Sequence, residues 1–142
     1  MKTYLFISSL FLMTSFNPVI GQNDPSADLI MIQGTIQNYF DGWMTGDTTL
    51  LSKAMHTTCN LKFVRDGKLV RVDKKRYVGN FKPRPRLPDT EARIISIDIT
   101  RNAASAKVEI VTPKRHFTDY FNLLKEAGEW YITDKVSTNI SR

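Results

Sequence analysis

The chain has 142 residues, a formal net charge of +6 at neutral pH and a single cysteine. That length suits one domain around one core, and one cysteine excludes an internal disulfide, so packing alone must hold the fold. Two histidines and one cysteine without paired spacing fit no zinc pattern. There is also no phosphate-cradling glycine loop and no Gly-x-Ser-x-Gly elbow. No metal and no cofactor is therefore expected.

Residues 1–21 read as a secretory signal peptide: Lys2, an apolar run from Tyr4 to Phe16, then Pro18 and Val19-Ile20-Gly21. The apolar core falls short of the roughly 20 residues a membrane span needs, so no stable anchor is expected after cleavage. The domain then covers 22–142 and the protein is exported, periplasmic or secreted. Removing the leader lowers the net charge to +5, since it holds one Lys and no acid. In such an oxidising compartment Cys59 is expected to be buried, a reactive thiol being the alternative.

Asp24-Pro25-Ser26 marks a helix start. Leu29, Ile32, Ile36, Phe40 and Trp43 follow at steps of three and four, the stripe of an amphipathic helix that ends at Gly46. Asp47 or Thr48 caps a second, shorter helix carrying Leu50, Leu51, Ala54 and Met55. Asp66-Gly67 is a hairpin turn between Asn60–Val64 and Leu69–Val72. Lys74–Phe81 predicts a third helix, and the three prolines of Lys82–Pro88 predict a loop.

From Ile94 to Val136 the pattern predicts four hairpin-linked strands. Their alternating sets are Ile95/Ile97/Ile99, Ala106/Val108/Ile110, Phe117/Asp119/Phe121/Leu123 and Trp130/Ile132/Asp134/Val136. Alternate residues share a face, so Asp119 and Asp134 are expected on the apolar side, where a carboxylate is expensive. The expected register pairs Lys125 with Trp130, Ile110 with Asp119, and Ile97 with Val108. That sets Asp119 opposite Val136 and leaves it few polar partners on the sheet. The opposite face, with Val111, Tyr120 and Tyr131 among polar residues, is either solvated or the face of a sheet-to-sheet homodimer.

Helices followed by a curved antiparallel sheet define an α+β fold with the N-terminal helices in the concave face. Several stretches carry a resemblance: Ile36-Gln37-Asn38-Tyr39-Phe40-Asp41-Gly42-Trp43, Met55-His56, the run Phe117 to Lys125, and the run Gly128 to Lys135. In order and spacing they resemble the nuclear-transport-factor-2-like superfamily. The chain is most similar there to the lumazine-binding family, related to SnoaL-like cyclases and ketosteroid isomerases. The resemblance implies a cone with an internal pocket, a small-molecule ligand, and a His near the pocket mouth at His56. It does not fix an activity.

Within that frame the ligand contacts expected are Tyr39, Trp43, His56, Tyr77 and Asp119, with Phe63 and Phe81 as further aromatics able to line the cavity. The leading expectation is an exported domain that binds a small, partly aromatic organic molecule in an apolar pocket. The alternative is an isomerase, cyclase or dehydratase with Asp119 as general base, assisted by His56 or Asp134. A third reading is a dimeric module with a vestigial pocket. Against these stand plain structural roles: Asp119 bonding a buried polar group, and His56 capping the second helix. The basic run Lys74-Lys75-Arg76 and the residues Lys82, Arg84 and Arg86 read as a solvated rim rather than a nucleic-acid surface.

Overall fold

A computed structural model describes residues 25–142. The signal peptide expected at 1–21 lies outside the described residues. The first helix, α1 (Pro25–Thr45), buries Ile32, Ile36, Tyr39, Phe40 and Met44. Its first turn departs from the expected stripe, because Asp28 points inward while Leu29 is 37% exposed. Asp28 can occupy that place because Lys125 Nζ and Trp130 Nε1 both donate to its Oδ1, at 2.7 and 2.9 Å. Those two bonds supply what a buried carboxylate requires.

Gly46 (φ +68°) makes the turn to the second helix, and a Cβ there would lie 1.9 Å from the Lys82 carbonyl oxygen. Asp47 caps α2 (Thr48–Ala54), accepting from the Thr49 and Leu50 N–H groups. The chain then enters β1 (Met55–Arg65) with no loop. His56 therefore lies on a strand, and the expected helix-capping His is corrected. A lysine takes the helix-end role instead: Lys74 Nζ donates to Ser52 O at 2.8 Å and to Met55 O at 2.6 Å.

The Asp66-Gly67 turn has positive φ at both positions, 51° and 72°, as a type I′ hairpin demands. It leads into β2 (Lys68–Asp73), and Asp73 caps α3 (Lys74–Gly79) by accepting from Arg76 N–H at 2.8 Å. The proline-rich stretch after α3 is a strap over the end of α1. Arg84 N–H donates to Thr45 O at 2.8 Å, its guanidinium donates to Trp43 O at 2.6 Å and Met44 O at 3.3 Å, and Arg86 meets Asp41 at 2.8 Å. Two of its three basic side chains thus close the last turn of a helix, where positive charge is favoured.

Strands β3 (Glu91–Thr100), β4 (Ala103–Val111), β5 (Arg115–Glu126) and β6 (Glu129–Ser141) complete one open, six-stranded sheet in the order β2-β1-β6-β5-β4-β3. The β1–β6 pairing is parallel and the rest are antiparallel. The helices lie on its concave side, where Tyr39, Leu51, Cys59, Val108, Ile110, Phe121 and Ile132 form the core.

Register decides what that side contains. Ile97 pairs with Ala106, and Val108 with Asp119. Each is two residues from the expected pairing, and an even slip keeps every side chain on its face. Lys125 pairs with Trp130 as expected, but a bulge follows Ile132, so that Phe121 pairs with Lys135 and Asp119 with Ser137. The extra residue reverses the rest of β6. Lys135 turns inward, 4% exposed, and Asp134 turns outward, correcting its expected place on the apolar face. A bulge between Ile94 and Ser96 does the same to β3, leaving Ile94 against the core and Ile95 45% exposed.

Candidate functional site

Five polar side chains converge on the concave face. Asp119 on β5 is 2% exposed. Its Oδ2 meets Lys135 Nζ at 2.8 Å, and its Oδ1 accepts from Ser137 Oγ at 2.6 Å. The Lys135 ammonium lies 5.7 Å from the ring centroids of both Tyr39 and Tyr77, within cation–π range. The two phenol oxygens are 2.7 Å apart and share one hydrogen bond. Tyr39 comes from α1, Tyr77 from α3, and the charged pair from adjacent strands, so the cluster ties two helices to the sheet.

Electrostatics follow from burial. Burial raises the Tyr39 phenol well above its ordinary value, and Tyr77, Asp119 and Cys59 reinforce it. Burial likewise raises Tyr77. The Cys59 thiol, fully buried, is pushed up to about 12 by burial, with the Asp134 charge adding to it. Its expected burial is observed, and at neutral pH it is a protonated, inert packing group.

Half-buried aromatics lie at one end of this cluster. Trp43 at the end of α1 packs edge-on against Phe117 at the start of β5, with centroids 5.6 Å apart. Tyr77 packs against Phe81 at 5.2 Å, and Arg84 reaches over Phe81. Because Phe117 pairs with Asn139, and Lys62 with Val136, this is also where β1 and β6 end their pairing. A cavity of about 380 Å³ opens beyond that last pairing, lined by Lys62, Phe63, Val64, Leu69, Val136, Ser137, Thr138 and Asn139, with Trp43, Tyr77 and Phe81 outside its lining. Ser137 connects it to Asp119.

The expected site residues thus divide. Tyr39, Tyr77 and Asp119 come together, Trp43 is half-buried against Phe117, and Phe63 lines the cavity. His56 is elsewhere: it packs against Tyr131 on the convex face, centroids 5.7 Å apart, and cannot assist Asp119. Asp134 is also convex, held by Lys62 Nζ at 2.8 and 2.9 Å. Lys135 and Ser137 were missed. The signal that could have found them is the expense of Asp119 itself, which demands a partner. Lys135 and Ser137 sit one position out of phase on the neighbouring strand.

The family model described as "Putative lumazine-binding" matches residues 27–137. The chain belongs to that family, within the nuclear-transport-factor-2-like superfamily. It is similar to a solved NTF2-like protein of unknown function from Shewanella baltica OS155, with 27% identity and a TM-score of 0.75 over 84% of this chain and 98% of that one. A second such protein, from Silicibacter pomeroyi DSS-3, shares the fold at 18% identity, TM-score 0.73, over 84% and 99%. A third, from Methylobacillus flagellatus KT, has 25% identity and a TM-score of 0.64, over 78% and 90%. A search of the curated proteins gave no match.

Proposed function

We propose that this protein is an exported binding domain for a small, partly aromatic organic molecule, taken at the aromatic end of the concave face. The observation that carries this reading is the buried Lys135–Asp119 pair under Tyr39 and Tyr77. Apolar side chains of like volume would fill the same space at equal or lower free energy. A polar floor beneath half-buried aromatics is the usual form of a small-molecule site, with few oriented polar groups and many apolar ones. The family description names lumazine, a planar heterocycle edged with carbonyl and N–H groups. Such a ligand would lie against Trp43, Tyr77 and Phe81 and meet the tyrosine hydroxyls or the ammonium at its edge.

Catalysis with Asp119 as a general base has less support. Lys135 and Ser137 occupy one carboxylate oxygen each, and a base needs a free lone pair directed at the substrate proton. Titration with lumazine, followed by tryptophan fluorescence, tests the binding reading. Trp43 is half-buried, whereas Trp130 is 2% exposed and bonded to Asp28. Saturable quenching that is lost in Trp43→Phe and weakened in Tyr77→Ala is expected. Absence of quenching, together with no co-purified small molecule by native mass spectrometry, would refute it. N-terminal sequencing of the protein recovered from its compartment tests export, with a start near Gln22 expected.

A further inference from the structure

The convex face carries a second site at the opposite end of the sheet, and it rests on no part of the reading of the concave face. A cavity of about 300 Å³ lies between the start of β1 and the β5–β6 hairpin, and His56, Thr58, Asn102, Leu124, Lys125, Glu126, Tyr131 and Thr133 line it. A neighbouring cavity of about 360 Å³ shares Leu124 and Thr133 and extends the depression across β4, where Ala103 and Ser105 have short side chains.

Hydrogen bonding fixes the polarity of this site. Thr58 N–H donates to His56 Nδ1 at 3.3 Å, so in the neutral ring that nitrogen is bare and the proton sits on Nε2. Nε2–H then donates to Glu126 Oε2 at 3.1 Å. The Thr58 hydroxyl, 2.7 Å from Nδ1, must donate to it as well. Thr133 Oγ1 spends its proton on Asn122 O at 3.1 Å. Both hydroxyl protons and the ring proton are thus engaged within the protein. What the residues offer a ligand is lone pairs on two hydroxyls, the second oxygen of Glu126 and the side-chain amide of Asn102, while the Lys125 ammonium is held by Asp28 at 2.7 Å. The apolar part is Tyr131, its ring held edge-on by His56, and Leu124, 47% exposed.

We propose that this site binds a neutral polyhydroxylated ring, a saccharide. A cavity that offers several acceptors beside an amide donor suits a ligand that both donates and accepts, and sugar hydroxyls do so several at once. The C–H face of a sugar ring matches an aromatic ring beside an aliphatic side chain. An anion would meet Glu126, and the Lys125 ammonium in the lining is already paired with Asp28. A cation would find only a carboxylate already shared with His56, on a chain of net charge +6.

Two-dimensional NMR of the 15N-labelled protein tests this, titrating maltotriose and N-acetylchitotriose, with putrescine and inorganic phosphate as cationic and anionic controls. Saturable shifts confined to His56, Leu124, Glu126, Tyr131 and their neighbours are expected with at least one sugar. Glu126→Gln and Thr133→Val should each weaken that binding about fivefold to tenfold, the loss of one hydrogen bond. Neither side chain is part of the core, so an unchanged spectrum elsewhere certifies the fold. Four results would overturn the proposal: no shift with either sugar, tighter binding of putrescine or phosphate, shifts centred on Phe63 and Ser137, or a stable dimer in sedimentation that shields Tyr131.

Discussion

Two ion pairs lie on opposite faces of one sheet, built from adjacent residues of β6. Asp134 reaches outward to Lys62 and Lys135 reaches inward to Asp119, each with a shortest contact of 2.8 Å. The outer pair keeps 37% and 23% of its side-chain surface in solvent; the inner keeps 5% and 3%. Equal distances conceal different energetics. Outside, water screens the attraction and solvates either partner if the other leaves. Inside, each charge depends on the other, and the fold has committed Ser137 and two tyrosine rings to the same place. Contact length therefore says little here about what a pair contributes, and burial says most of it.

The largest expected effect comes from breaking the inner pair on one side. Lys135→Ala leaves the Asp119 carboxylate buried without its counter-charge and should cost about 3–5 kcal/mol of stability in urea unfolding. Replacing both partners, Asp119→Leu with Lys135→Met, should recover most of that loss or exceed the parent, because the desolvation cost goes with the charges. A loss under about 1 kcal/mol for Lys135→Ala would place the inner pair in the class of exposed pairs and remove the contrast. Binding separates the two possible reasons for keeping the pair: a stable double variant that no longer binds the aromatic ligand marks it as functional.

Alkaline pH perturbs the same interior without mutation. Tyr39, Tyr77 and Cys59 all have proton affinities raised by burial in the fold. Above about pH 9 for the thiol and about pH 10 for the phenols, the unfolded chain releases protons that the folded chain retains. The unfolded state then binds fewer protons, so stability falls as pH rises, by up to about 1.4 kcal/mol per pH unit for each group. The contribution is complete below those values and is lost progressively toward the raised ones. Tyr39→Phe and Tyr77→Phe together should flatten the decline. At neutral pH, Tyr39→Phe alone should cost about 1 kcal/mol, the worth of the hydrogen bond to Tyr77.

Much of this contrast was legible in the chain before any coordinates. Three helices, the Asp66-Gly67 hairpin and four successive strands follow from spacing and turn residues. Asp119 stands out as a carboxylate in an apolar row. The strand faces survived wrong pairings because the errors were even. Those faces failed at the bulges of β3 and β6, where one added residue inverts the alternation. Alternation carries no marker for such a residue, so Asp134 read as inward and Lys135 as outward. His56 failed for a different reason. Helix periodicity continues through Met55, and the strand begins there only because the parallel pairing of Met55 with Ile132 claims the backbone. That is a long-range hydrogen-bonding decision, invisible to a local pattern. The strap shows a related limit: its composition reads as a solvated basic rim, yet Arg84 and Arg86 are spent on α1.

The smallest expected effect is the control that gives the largest its meaning. Lys62→Ala removes the outer pair's cation and leaves Asp134 at a surface where water can replace it. The loss should be at most about 1 kcal/mol, and salt should shrink it further, because exposed charges are screened within about 10 Å at 0.1 M ionic strength. The Lys135→Ala loss should hold nearly constant over the same salt range, since its charges are shielded from mobile ions. The ratio of the two losses, measured in low and in high salt, thus separates burial from proximity. If Lys62→Ala proves as costly and as insensitive to salt as Lys135→Ala, then the bulge after Ile132 changes which residues meet without changing what their meeting is worth.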